Sequence, residues 1–454
     1  MTQKSPFAGW CNPPSRLKSF LFAAALPVSM YIFADQAAMA APEGNCPAGS
    51  AASTDTAQQV CGEDETGSKD SAILQSLDAL AAHGLDPASY TRSDASPRDA
   101  WLLAATHLRR GAIDAETLAP RLEADAALAE TFDALPTDSD AEAYSAALDA
   151  LAPTSSLYAA LQTELAAHQQ SPLTSADAKA ASAAQARMAS LRASLERLRW
   201  LPRENTERQI YANIPTFEVV ALTGDTEVSR HVAIFGEEDR QTPEFSDTIT
   251  YLEFSPWWNV PASMARRDKL PDFQNDPGEI EELGYKVLDA SGKPVNASNI
   301  DWSTISADDF PYRLRQAPGP DNALGQVKIM FPNEHAIYLH DTPHTELFDQ
   351  EDRALSAGCI RVEDIAALSE WLLEDTSGWG KAEIDAAKGS DTETRANLSS
   401  PVSIHMVYLT AFPAADGTIT YAEDVYSLDA ALLPALAGNA PDEAAGNGSE
   451  SLED

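Results

Sequence analysis

The hydrophobic period of this chain changes once, and that change limits the folds open to it. Between residues 71 and about 200, apolar side chains recur at helical spacing. Leu74, Leu77 and Leu80 form one stripe. Tyr144, Leu148 and Leu151, then Leu157, Leu161 and Leu165, form a helical pair broken at Pro153. Met188, Leu191, Leu195 and Leu198 form the last stripe, with Gly84 and Pro202 as stop signals. From Gln209 the period is two. Residues 216–222 and 228–234 flank Thr223-Gly224-Asp225-Thr226-Glu227, a hairpin signal. Strand-like runs follow at 251–254, 327–331, 336–340, 402–408 and 419–426, with a helix-like run from Ile365. Helices first and strands afterwards predict an α+β chain: a helical scaffold over 71–200, then a mostly β domain over 201–430. Residues 257–325 are irregular and too long for a plain loop, so a lid-like subdomain is expected there. There is no internal repeat.

Composition bounds the partners. The 454 residues suffice for two or three domains, and 44% apolar content suffices for a core. A net charge of −39 argues against nucleic acid and anionic membranes as partners. Residues 1–40 read as a cleavable secretory signal: Arg16 and Lys18, an apolar run from Phe20 to Phe33, then Ala38-Met39-Ala40. The apolar run is too short to span a bilayer, so no membrane insertion is expected after cleavage. Residues 41–70 read as a polar leader, and 435–454 as a disordered acidic tail. Cys11 leaves with the signal. Cys46 and Cys61 could pair across a short loop or remain two thiols. Either way Cys359 has no partner.

Cys359 lies in Ser356-Ala357-Gly358-Cys359-Ile360-Arg361, with Leu339-His340-Asp341-Thr342-Pro343 shortly before it. A lone cysteine after a small-Gly turn, with a histidine 19 positions upstream, reads as a nucleophile and its base. A buried structural cysteine is the competing reading. Thiol attack needs a base and a pocket of N–H donors, and Gly358 permits the sharp turn that builds one. Without Cys-x-x-Cys or His-Glu-x-x-His, neither a metal nor a cofactor is expected. His335, His344 and His405 read as surface or packing residues. Trp257 and Trp258 could stack on a ligand or pack in a core. Arg266, Arg267 and Lys269 form a basic cluster, with a solvated face as the default.

His340, fifteen intervening residues and Ser356-x-Gly358-Cys359 resemble the catalytic motif of the L,D-transpeptidases with a YkuD-type domain. Residues 195–202, Arg240-Gln241-Thr242-Pro243, Trp258-Asn259-Val260-Pro261, Asn322-Ala323-Leu324-Gly325 and Met330-Phe331-Pro332-Asn333 are similar to the large, YcbB-like subfamily. Residues 71–170 are similar to that subfamily's N-terminal scaffold. The resemblance implies a periplasmic enzyme acting on peptidoglycan stem peptides, with carbapenem β-lactams as inhibitors. Cys359 would attack the carbonyl of residue three of a tetrapeptide. His340 would take the thiol proton and later that of the acceptor amine. Asp341 would orient the imidazole through its backbone carbonyl, and the Gly358 and Cys359 N–H groups would bind the oxyanion. Tyr338, on the same strand face as His340, would line the pocket with Ser356, Arg361 and Trp258. An L,D-carboxypeptidase or endopeptidase of the same fold shares the first half-reaction. A non-catalytic wall-associated scaffold is a third reading, disfavoured by the intact Cys359 and His340. Ala357 stands where the commoner motif has His. The short stretch between His168 and Leu195 leaves no room for the wall-binding helical module of large members.

Overall fold

The computed structural model describes residues 65–91, 95–170, 178–203 and 206–438. The signal, most of the leader, the Cys46–Cys61 pairing and the tail beyond 438 lie outside the described residues. Among the described residues no helix is long and apolar enough to cross a membrane.

The molecule is α+β, as the change of period predicts. Helices Glu65–Ser76, Pro97–Arg110 and Ala141–Asp149 pack around Trp101, Phe132 and Tyr144. The first is continued by a 3-10 turn, Leu77–His83, and the inward stripe across the two is Ile73, Leu77 and Leu80, while Leu74 is 38% exposed. In the 3-10 turn residues three apart eclipse, so Leu77 and Leu80 share one face, and in the α-helix before it Ile73, four before Leu77, lies nearer that face than Leu74. Gly84 ends that segment in the left-handed region, φ 76°. Helices Ser156–Gln170 and Ala178–Trp200 lay Leu161, Leu165, Leu191 and Leu195 against Tyr211, Val220 and Phe412 of the β domain. Only residues 171–177 separate these two helices.

The β domain opens with β1 (Arg208–Asn213), β2 (Glu218–Thr223), β3 (Thr226–Gly236) and β4 (Phe245–Phe254). The chain then leaves the main sheet and forms β5 (Trp258–Asn259), β6 (Tyr285–Leu288), β7 (Pro294–Val295) and β8 (Arg313–Gln316). It returns through β9 (Val327–Met330), β10 (Leu339–His340), β11 (Ala354–Ser356), β12 (Ile360–Val362) and β13 (Thr394–Val407). A small hairpin of β14 (Ala411–Pro413) and β15 (Ile419–Tyr421) follows. The main sheet runs β11-β3-β12-β10-β9-β4-β13-β1-β2, and β2 also pairs with β3. Eight strands therefore close into a ring, with β11 added beside β3. Ala233, Leu252, Ile329, Leu339, Ile360 and Ile404 are buried on its inner face. Helix Ile365–Leu373 packs Leu368 and Leu372 into the same core.

Strands β5, β8, β6 and β7 make a separate four-stranded sheet. With helix Leu270–Asn275 it encloses its own core, formed by Trp258, Phe273, Tyr285, Trp302 and Leu314. Residues 257–325 are thus a folded subdomain standing between β4 and β9.

Two expected strands are shorter than their apolar runs. The 336–340 run is extended only at Leu339–His340, because Asn333 holds the preceding loop. Its side-chain amide donates to the carbonyls of Phe331 (2.6 Å) and Ile337 (2.8 Å), and Ala336 sits at φ 56°. The 419–426 run ends its pairing at Tyr421, and Tyr426 reaches inward from the loop. At the C-terminus, helix Leu428–Leu436 buries Leu432 and Ala435, so packed structure extends past residue 435.

Candidate active site

Strands β10 and β12 are parallel neighbours, pairing Leu339 with Ile360 and His340 with Arg361. Leu339 and Ile360 fill the inner core. Side chains alternate along a strand, so Tyr338, His340, Cys359 and Arg361 share the opposite face. Cys359 and His340 are diagonal neighbours there. Strand spacing and rise place their Cα atoms roughly 8 Å apart, within reach of a thiol and an imidazole. On the other side of β10, β9 sets Lys328 opposite His340. Lys328 pairs with Glu253 at 3.4 Å, and its ammonium lies 4.4 Å from the Tyr338 ring centre.

His340 is 5% exposed. Its Nδ1 lies 2.5 Å from the Asp341 carbonyl oxygen. A carbonyl only accepts, so Nδ1 carries the proton and Nε2 keeps its lone pair. Burial, then the nearby Arg361 charge, push the imidazole pKa down to about 3, against the opposing pull of the Asp341 bond. His340 is therefore a neutral base at neutral pH. The Asp341 carboxylate is spent on local backbone, accepting from Gln326 N–H and Thr342 N–H, both at 2.8 Å. Gly325, at φ 60°, makes room for it: a Cβ there would lie 2.4 Å from the carboxyl carbon. Asp341 thus meets His340 through its backbone carbonyl.

Cys359 is half-buried, its Sγ 3.8 Å from the Ala336 carbonyl. Burial raises the thiol pKa above its ordinary value. Hydrogen bonds from Tyr338 and the charges of Lys328 and Arg361 oppose that rise without overcoming it. At rest both groups are neutral, a thiol and an imidazole on one face of adjacent parallel strands. Tyr338 packs against the subdomain core that holds Trp258, and burial, then the nearby Cys359 charge, push its hydroxyl pKa well above the ordinary value. The Ile360 N–H donates to the Tyr338 carbonyl at 3.1 Å, holding the two strands together at the nucleophile.

The remaining expected residues fall in different places. Ser356 is buried, and its Oγ accepts the Gly358 N–H at 3.1 Å. Ser356 shapes the turn, and the Gly358 N–H is engaged within it. Trp258 is 3% exposed in the subdomain core, against which Tyr338 packs, so it offers no stacking surface. Arg361 lies on the site face, close enough to both His340 and Cys359 to shift their titration. His405 contacts Ser246 (2.8 Å), His344 pairs with Glu346 (3.5 Å) and His335 packs on Phe245 (4.8 Å between ring centres). Of the basic cluster, Arg267 pairs with Asp239 and Lys269 with Asp272, each at 3.0 Å. Sequence reading missed Lys328 and Asn333. The polar position inside an apolar strand run was the available signal for Lys328.

The family model of the L,D-transpeptidase catalytic domain, YkuD, matches residues 207–388, and that of the Scaffold domain matches 62–165. An inferred L,D-transpeptidase of Haemophilus influenzae is 36% identical over 234 residues. That match covers 52% of this chain and 47% of the relative, so the chain spans about half the length of the curated relative it matches. Among solved structures, an L,D-transpeptidase from Mycobacterium smegmatis is 13% identical, covering 44% of this chain and 58% of that one, with a TM-score of 0.21. The L,D-transpeptidase LdtMt1 in complex with imipenem is 14% identical, with the same coverages and a TM-score of 0.20.

Proposed function

We propose that this chain, which carries the L,D-transpeptidase catalytic domain of the YkuD family behind a scaffold domain, cross-links peptidoglycan stem peptides through a cysteine acyl-enzyme in the periplasm. One observation carries the reading: Cys359 and a neutral, correctly tautomerised His340 share one face of two adjacent parallel strands. The thiol gives its proton to His340 Nε2 as Sγ attacks the carbonyl carbon of residue three of a donor tetrapeptide. The C–N bond to the terminal D-alanine breaks, and the amine leaves with the proton that His340 held. An acceptor amine then gives a proton to His340, attacks the thioester and restores the thiol. Neutral resting partners avoid holding a buried ion pair before substrate arrives. Lys328, paired with Glu253, and Arg361 put positive charge on the site face, where the carboxylates of a stem peptide would lie, in a chain that is otherwise strongly acidic. Export fits the sequence of residues 1–40.

The test is mass spectrometry of the purified protein with defined tetrapeptides. Cross-linked dimer with released D-alanine supports the reading. Tripeptide alone would make the protein an L,D-carboxypeptidase, and no turnover would leave a wall-associated scaffold.

A further inference from the structure

The loop after β3 folds back on the nucleophile turn. Thr242 is 2% exposed, and its hydroxyl donates to the Gly358 carbonyl at 2.8 Å. The same oxygen accepts the Gly236 N–H at 3.0 Å. The Thr242 N–H approaches the Tyr426 hydroxyl at 3.4 Å, and that hydroxyl donates to the Gly236 carbonyl. Both glycines are required. A Cβ on Gly236 would lie 2.2 Å from the Arg240 carbonyl oxygen, and Gly358 sits at φ 113°. Tyr426 lies beyond residue 388, where the catalytic-domain match ends. It is braced in turn by Tyr408, whose hydroxyl accepts the Tyr426 N–H at 2.8 Å.

The carbonyl that Thr242 holds belongs to the peptide unit whose other end is the Cys359 N–H. That unit is planar and trans, so its N–H points opposite to its C=O. Fixing one end fixes the other. The Gly358 N–H is already engaged by Ser356, which leaves the Cys359 N–H as the donor on this turn for an oxyanion. We infer that Thr242, held by Tyr426, is a positioning residue for acyl transfer: it aims the Cys359 N–H at the oxygen that gains charge when Sγ attacks. The inference rests on the acyl-transfer reading above. It assigns Thr242 no contact with substrate and no part in proton transfer.

Two reactions of Cys359 separate this role from a merely structural one. Imipenem acylation forms a tetrahedral oxyanion, whereas iodoacetamide alkylation displaces iodide and forms none. Acylation is measured by intact mass and alkylation by the mass of the peptide that carries Cys359, on wild type, Thr242→Val, Thr242→Ser and Tyr426→Phe. Thr242→Val should slow acylation about 10- to 100-fold, below the roughly 10²–10³-fold cost of deleting such a donor outright. Its alkylation should stay within about twofold by the same reasoning. Thr242→Ser, which keeps the hydroxyl, should restore acylation. Tyr426→Phe should lower the acylation-to-alkylation ratio in the same direction, and it carries the test if Thr242→Val does not fold. An unchanged ratio in the variants, or equal loss of both reactions, would overturn the inference while leaving acyl transfer standing. A wild-type protein that alkylates but never acylates would instead overturn the acyl-transfer reading, and this inference with it.

Discussion

The Nδ1–H of His340 donates to the carbonyl of Asp341, and this one bond decides which ring nitrogen can serve Cys359. The carbonyl belongs to the next residue in the chain, so the imidazole is oriented by backbone, not by a third side chain. A carboxylate partner would have favoured the imidazolium. A carbonyl, in a buried setting beside Arg361 and Lys328, leaves the ring neutral.

Replacing the base should therefore cost turnover and not folding. His340→Gln keeps a donor for the Asp341 carbonyl but has no proton-accepting nitrogen. Steady-state cross-linking should fall by roughly 10²–10⁴, the usual worth of general acid–base catalysis. His344→Gln should be close to wild type, because His344 pairs with Glu346. The reverse ranking would mean that the wrong histidine has been assigned.

The nucleophile is tested by adduct mass. Wild type should gain one imipenem, and Cys359→Ala none, since acylation needs a base on the same strand face and an oxyanion donor on the turn, which Cys359 has. Replacing one small half-buried side chain by another leaves little cavity, so the variant should keep its melting temperature to within a few degrees. An adduct on the variant would place the reactive group elsewhere.

Acid should destabilise the fold through buried histidines. Burial lowers His340 to about 3 and His405 to about 4. As pH drops below 6.5, the unfolded chain takes up protons that the folded chain refuses, so stability present above 6.5 is lost towards those lower values. Glu244 works against this. Burial raises its carboxyl to about 7, with Arg197 opposing, so its contribution is full below about 4.5 and lost as pH rises to 7. Between pH 7 and 5, the melting temperature should fall more steeply in Glu244→Gln than in wild type, and less steeply in His405→Gln. Identical slopes in all three proteins would show that these groups do not govern acid stability.

The reach of the sequence follows how local each signal is. Apolar period gave the helical half and the strands with full alternation, because burying one face is a property of the run itself. It misplaced Leu74, because the α-helix gives way to a 3-10 turn at Leu77 and Ile73 takes the inward position. It overextended the strand before His340, because the loop is held by Asn333, a tertiary contact that periodicity does not carry. Cys359 and His340 were legible as residue types at a spacing. Their environment was not: Trp258 read as a possible platform yet lies in the subdomain core, and Ser356 read as a substrate contact yet closes the turn. Thr242 and Tyr426, 184 positions apart, meet only through the closed ring of strands.

The subdomain over 257–325 should govern how the thioester is consumed. Its core packs against Tyr338 on one side of the nucleophile. Asp268 also meets Arg240 at 3.2 Å, and Arg267 meets Asp239 at 3.0 Å, tying the subdomain to the loop that holds Gly358. The pairs are partly exposed, and each is worth only about 0.5 kcal/mol, so the tie can open and close readily. A closed subdomain excludes water while an amine approaches, which favours transfer over hydrolysis. Asp239→Ala/Asp268→Ala should therefore raise the ratio of hydrolysed tripeptide to cross-linked dimer by about fivefold, the effect of losing about 1 kcal/mol. Imipenem acylation should change little, since the thiol, the base and the Thr242 contact are untouched. Equal loss of both products, with the ratio fixed, would reduce the subdomain to a structural part.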